Sequence, residues 1–251
     1  LKGYWVWATP IFSFVCIPVL ELIFPVDTDN LQSDEAESLL KRKVFDWLLY
    51  LNLPLVYGIT IYGLYVVSST TLHAYEFVGL IISVGIVLGV NGQYFSAWKI
   101  QNKLLKNNNQ SFFSVKNDMF WYVIFQATYL TIVALFFGTT AFIFALFAGN
   151  VGFILLETVN YIEHYGLLRL HTKSGRYERV KKIHSWNSNH VIGRIVLYEL
   201  TRHSDHHFKS SKKYQILDCH FESPQMPYGY PTSMVLAMIP PLWFRIMNKR
   251  V

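Results

Sequence analysis

Five stretches of this 251-residue chain, 4–24, 44–67, 74–90, 119–137 and 139–159, are apolar over about the twenty residues that a helix needs to cross a bilayer. A soluble core of this size has no use for so many long apolar runs. The rest of the composition agrees: 15% of residues are charged, against about 25% in a soluble domain. The excess of 22 Lys+Arg over 16 Asp+Glu raises nucleic acid as a partner, but the basic residues fall between and after the apolar runs. That is how membrane topology is written, not a DNA-binding face. The expected fold is an all-α integral-membrane helical bundle with five visible spans and a cytoplasmic His-rich cap.

Charge alternates along the connections. Lys41-Arg42-Lys43 close the first, 68–73 has neither Lys nor Arg, 93–118 is basic again, and the region after Asn160 carries most of the positive charge. The positive-inside rule therefore puts the first connection, 93–118 and everything after Asn160 in the cytoplasm. The chain divides into a bundle, 1–159, with a cytoplasmic helix over 94–105 and a loop, and a cap, 160–251. Within the cap, 191–200 reads as an amphipathic helix and 234–247 as an interfacial one, with Pro240-Pro241 arguing against a sixth crossing. Pro10, Pro18 and Pro54 read as kinks of the kind membrane helices accept. Glu21, Asp46 and Glu76 lie near span ends and read as interfacial. The opening at Leu1 without Met reads as a piece of something longer. Two cysteines, Cys16 and Cys219, exclude a disulfide framework, a Cys-ligated zinc site and a built-in iron–sulfur module. Any electrons must come from another chain.

Eight of the nine histidines lie between His164 and His220. In Arg202-His203-Ser204-Asp205-His206-His207, spacings of three and four put His203, His206 and His207 on one side of a helix. Three convergent imidazoles suit zinc, copper or iron, and spacing does not choose among them. Asp205, between the ligands, is a candidate acceptor for an imidazole N–H; a salt bridge to Arg202 is the plainer alternative.

Two further units stand beside this box. Asn160-Tyr161-Ile162-Glu163-His164-Tyr165-Gly166 ends the fifth span, where His164 is a candidate ligand and Glu163, with Asp205, a candidate catalytic carboxylate. An interfacial tyrosine belt explains the same residues without metal. In His184-Ser185-Trp186-Asn187-Ser188-Asn189-His190, capping by Ser188 or Asn189 and anchoring by Trp186 are the default reading. His184 and His190 are candidates for a shell behind the ligands. His171, His220 and His73 look incidental.

NYIEHYGLLR (160–169), IHSWNSNH (183–190), LTRHSDHH (200–207), Tyr214-Gln215, PYGYPTSMVLAMIPPLWF (227–244) and the Trp7-Ala8-Thr9-Pro10 opening together resemble the integral-membrane alkane monooxygenases. More distant likenesses are the xylene-monooxygenase hydroxylase component and the membrane fatty-acid desaturases and hydroxylases. The resemblance implies six spans and a non-haem diiron centre held by histidines at the cytoplasmic mouth of the bundle. It implies O2-dependent hydroxylation of the terminal methyl group of an alkane drawn from the bilayer, with electrons from rubredoxin. Carried over by motif, His164, His203, His206 and His207 are the metal ligands. Lys173, Arg176, Arg179, Lys181, Lys182, Lys209, Lys212 and Lys213 make a basic cap suited to an acidic carrier.

The chain departs from that family at one place. An HExxH-type box and an HNxGHH-type box are expected after 74–90, yet Asn91-Gly92 runs straight into Gln93-Tyr94-Phe95-Ser96-Ala97-Trp98. Two readings stay open: Gly92 and Gln93 flank a stretch that this sequence leaves out, or the boxes are deleted. A deletion would leave an inactive structural relative. A fatty-acyl hydroxylase or desaturase is the alternative within the same chemistry.

Overall fold

Pro18 has no N–H to donate, and its ring crowds the carbonyl one turn earlier. The chain accommodates it in helix α1 (Phe12–Ile23), which opens as a π-helical turn, Phe12–Cys16, and tightens to an α-helix at Ile17–Ile23 with Pro18 in the first turn. The computed structural model describes residues 11–30, 32–41, 54, 58, 61, 62, 65 and 92–251. The expected spans 44–67 and 74–90, apart from those five positions, and the start of 4–24 lie outside the described residues. Among the described residues the chain is mostly helical, with isolated bridges in place of strands: Val26 with His190, His171 with Tyr177 and Asn187 with Gln225. Cys16 and Cys219 are free thiols.

The chain falls into two units, Leu1–Leu49 with Leu155–Val251, and Tyr50–Ile154. In the second, α3 (Gly92–Asn107) covers the helix expected over 94–105; α2 (Ser33–Lys41) belongs to the first. Asn109 takes a left-handed backbone at φ 53°, a conformation that Asn tolerates, and ends α3. Asn117 then caps α4 (Asp118–His164), its Oδ1 accepting from Phe120 N–H at 3.2 Å. α4 is interrupted at Gly138, whose φ of 81° and ψ of 179° only glycine adopts readily. The interruption falls where the sequence places a turn between 119–137 and 139–159. Among the described residues α4 alone is long and apolar enough to cross a membrane. Its buried residues within this unit are small or β-branched, Val133, Ala141 and Ala145, whereas Phe125, Leu135 and Phe136 are exposed.

In the first unit the core is Ile162, Trp186, Met226, Tyr230, Trp243 and Met247. These come from the end of α4, the segment before α5 (Val191–Val196), and α7 (Tyr230–Ala237) and α8 (Pro240–Met247); α6 (His203–Phe208) lies between α5 and α7 in the chain. Two of the core aromatics bond their polar ends within it: Trp186 Nε1–H donates to Tyr165 O at 2.8 Å and Tyr230 O–H to Trp186 O at 2.6 Å.

Four expectations change here. Trp186 is 2% exposed, so it is a core residue rather than an interfacial anchor. The helix expected over 191–200 stops at Val196, because Tyr198 and Glu199 take positive φ and Glu199 turns back to chelate Arg194 through Nε and Nη2 at 2.7 and 3.0 Å. The helix expected over 234–247 is two helices, broken at Met238–Ile239 ahead of the Pro240-Pro241 pair. Glu21 is fully buried instead of interfacial: one carboxylate oxygen accepts from Thr232 N–H at 3.0 Å and Thr232 O–H at 2.8 Å. Gly193 and Gly229 make room for it, since a Cβ on either would overlap the carboxylate.

Candidate metal centre

α6 is only six residues long, yet it presents three imidazoles, since positions three and four apart share a helix face. His164, the last residue of α4, meets that face. One ring nitrogen from each of His164, His203 and His207 lies within 4.8 Å of the others. Ring centroids are 5.4 Å apart for His164 and His203, 5.3 Å for His164 and His207, and 4.3 Å for His203 and His207. His206 stands at the edge of the group, 5.9 Å from His203 and 5.8 Å from His207.

Electrostatics favour the neutral form of two of these rings, His203 and His207. Burial, with His207, His164 and His206 close by, pushes the His203 imidazole down to about 2. Burial and the neighbouring His164 and His206 lower His207 as well. Both ring nitrogens of His203 are buried without a hydrogen-bond partner, a costly arrangement for a polar ring in an all-protein core. A metal ion coordinated by imidazole lone pairs relieves that cost, so the residues present fit a metal.

His164 is aimed by the chain behind it. A carbonyl can only accept, so the 2.9 Å contact between His164 Nδ1 and His184 O places the proton on Nδ1 and frees Nε2. The His184 ring is engaged elsewhere: its Nδ1 accepts from Lys181 N–H at 3.0 Å, which turns Nε2 toward Glu178 Oε1 at 3.2 Å. His190 lies outside the group, bridging to Val26 with Nδ1 3.1 Å from Ser188 Oγ. It is also the N-cap of α5, and no side chain caps that helix, so neither Ser188 nor Asn189 has the expected role.

The two carboxylates differ. Glu163 is buried, with Oε1 3.2 Å from His203 Nδ1. Asp205 does receive an imidazole, but that of His220, whose Nε2 is 2.8 Å from Oδ1. Its Oδ2 accepts from Lys212 Nζ at 2.6 Å and Asp218 N–H at 2.8 Å. Burial opposes charge on Asp205, and these three donors outweigh it and hold the carboxyl below its usual range. Arg202 turns away, donating to Leu217 O at 2.7 Å and Asp29 O at 2.8 Å. His220 belongs to no box, and its only signal in the sequence is membership of the histidine-rich region. Asn187, read there as part of a capping segment, is fully buried and bonded to Ser204 in α6.

An imidazole-only group built on the end of a long apolar helix and one short helix is a candidate histidine metal site in a mostly helical protein. Residues 83–236 match the Fatty acid desaturase family, and the chain belongs to it. Within that family it is similar to alkane 1-monooxygenase 2 of Alcanivorax borkumensis, 42% identical over 158 residues, 63% of this chain and 41% of the relative. It is similar to an alkane 1-monooxygenase of Pseudomonas putida at 28% over 303 positions, covering 94% of this chain and 75% of the relative. The hydroxylase component of xylene/toluene monooxygenase from Pseudomonas putida is 28% identical over 158 residues, 63% of this chain and 41% of that protein. The chain thus spans about two fifths of the length of the Alcanivorax relative it matches. The 303-position alignment is longer than the 251 residues of this chain, so that relative carries, within the matched range, more than fifty residues without a counterpart here.

Proposed function

We propose that this chain is the hydroxylase of an alkane 1-monooxygenase, inserting one oxygen atom of O2 into the terminal methyl group of an alkane. It is an integral protein of the cytoplasmic membrane with its C-terminal cap in the cytoplasm. The observation that carries this reading is the group formed by His164, His203 and His207, with His203 unpaired at both nitrogens. Likeness to alkane 1-monooxygenases supports the substrate.

His164, His203, His206 and His207 would hold iron as part of a non-haem diiron centre, the remaining ligands coming from the two boxes absent between Gly92 and Gln93. The more than fifty extra residues of the Pseudomonas relative within the matched range are enough to hold two such boxes. Bound iron supplies the O2 activation that an unactivated C–H bond demands. The chain's own residues do the rest. Burial keeps His203 neutral, the His184 carbonyl turns the His164 lone pair inward, and Asp205 ties α6 to His220 and Lys212. Glu163 stands beside His203, its Oε1 3.2 Å from Nδ1. The exposed apolar surface of α4 suits lipid and a lipid-borne substrate. Lys181, Lys182 and Lys212 are paired with Glu178, Glu222, and Asp205 and Asp218, leaving the exposed Lys173, Arg176, Arg179 and Lys209 as the positive surface for rubredoxin.

The test begins with intact mass and iron content measured on one preparation of the protein purified from its gene. A mass several kilodaltons above 29.2 kDa with about two irons, and 1-alkanol formed from alkane with rubredoxin and a reductase, is the expected result. A mass matching these residues with little iron would mean an inactive relative. The family match also favours a second reading, hydroxylation or desaturation of fatty-acyl chains. Product analysis with acyl and alkane substrates side by side separates the two.

A further inference from the structure

The first turn of any helix leaves N–H groups without intrahelical partners, and α6 has no local remedy: its N-cap is Arg202, which offers no side-chain cap. The donor is satisfied from seventeen residues upstream. Asn187 Oδ1 accepts from Ser204 N–H at 2.8 Å, while Asn187 Nδ2 donates to Ser204 Oγ at 2.7 Å. Ser223 O–H completes the knot by donating to Ser204 Oγ at 2.9 Å. Asn187 and Ser204 are both fully buried.

Asn187 is itself rigidly held. Its N–H donates to Pro224 O at 2.8 Å, and its carbonyl accepts from Met226 N–H at 2.7 Å. The same short segment grips the other side of the cluster: His184 O accepts from His164 Nδ1 at 2.9 Å, and Trp186 N–H donates to Glu163 O at 2.8 Å. One run of four residues, 184–187, therefore touches the end of α4, which carries His164, and the start of α6, which carries His203 and His207.

We propose that Asn187 is a positioning residue for the metal centre: through its bond to Ser204 N–H it sets the first turn of α6, and with it His203 and His207, at ligating distance from His164. The inference rests on the reading of those three histidines as ligands. Its physical logic is that coordination needs ring placement to a few tenths of an ångström, and a six-residue helix has too few hydrogen bonds of its own to supply it.

The experiment titrates Co2+ into the metal-stripped full chain in detergent micelles, reading the dissociation constant, the Co2+ d–d spectrum and the melting temperature without metal. Wild type is expected to bind with a histidine-type spectrum that His203→Ala abolishes. Asn187→Ala is expected to weaken binding about tenfold to a hundredfold and to change the spectrum. Asn187→Thr, which fills the buried space without an oxygen that reaches Ser204, is expected to do the same and stands in if the alanine variant fails to fold. Asn187→Asp keeps the accepting oxygen, and Ser204→Ala keeps the N–H; both are expected to stay within about threefold of wild type, far short of that loss. Folded Asn187→Ala or Asn187→Thr protein that binds Co2+ with wild-type affinity and spectrum, even at a lower melting temperature, overturns the positioning role alone. Wild type whose Co2+ binding is indifferent to His203→Ala overturns the ligand reading and this proposal together.

Discussion

The unit formed by 155–251 with the N-terminal segment buries what proteins usually expose, and the unit 50–154 exposes what they usually bury. In the first, Glu21, Asn187, Arg202, Ser204 and Asp205 are almost inaccessible to solvent, each held by specific donors or acceptors. In the second, Phe125 is 67% exposed and Phe136 78%, while the small residues Ala141 and Ala145 are inside. Those bonds tie separate segments of the chain together, which makes the first unit a holder for side chains. Large exposed apolar surface is tolerated when the solvent is not water.

The largest effect expected from breaking this contrast is at the site: His203→Ala should reduce bound metal to background and abolish hydroxylation, read by metal analysis and product assay on one preparation. Next comes a charge on the apolar surface. Phe125→Arg, near the middle of 119–137, should cost about 3 kcal/mol if that surface meets lipid and shift the protein out of the membrane fraction. The same substitution would be silent on a water-facing helix. Gly229→Ala probes the polar interior by pressing a methyl group against the Glu21 carboxylate, and is expected to lower stability by about 1–3 kcal/mol in thermal unfolding. The smallest effect is at the edge of the first unit, where Arg194 Nη1 meets Asp27 Oδ2 at 2.5 Å. The Asp29 N–H first, and Arg194 after it, hold the Asp27 carboxyl below its ordinary value of 3.8. A depressed carboxyl contributes stability above its unfolded value and loses it as pH falls through the folded one. Wild type should therefore be slightly more stable than Asp27→Asn near pH 6, and the difference in melting temperature should shrink as pH falls below 3.8 toward the depressed folded value.

Much of the site could be read in the chain. The spacing of His203, His206 and His207 needs only a helix to converge them, and the break between 119–137 and 139–159 needs only Gly138. What could not be read depends on contacts between distant residues. His220 receives its role from Asp205, fifteen residues away and in no shared motif. Trp186 and Asn187 are ordinary in sequence and become core and cap only where the chain folds back on α4 and α6. Glu21 at the end of an apolar run reads as interfacial until Thr232, more than two hundred residues later, arrives to bond it.

The sequence by itself determined the long apolar helix α4 and the imidazole spacing, because both follow from local patterns set by backbone geometry. The tertiary structure alone decided that His164 meets α6, that His184 offers its carbonyl rather than its ring, and that a carboxylate is enclosed between two glycines. Each of those outcomes is a balance of desolvation against a partner, and the partner is supplied by a segment far away in the chain.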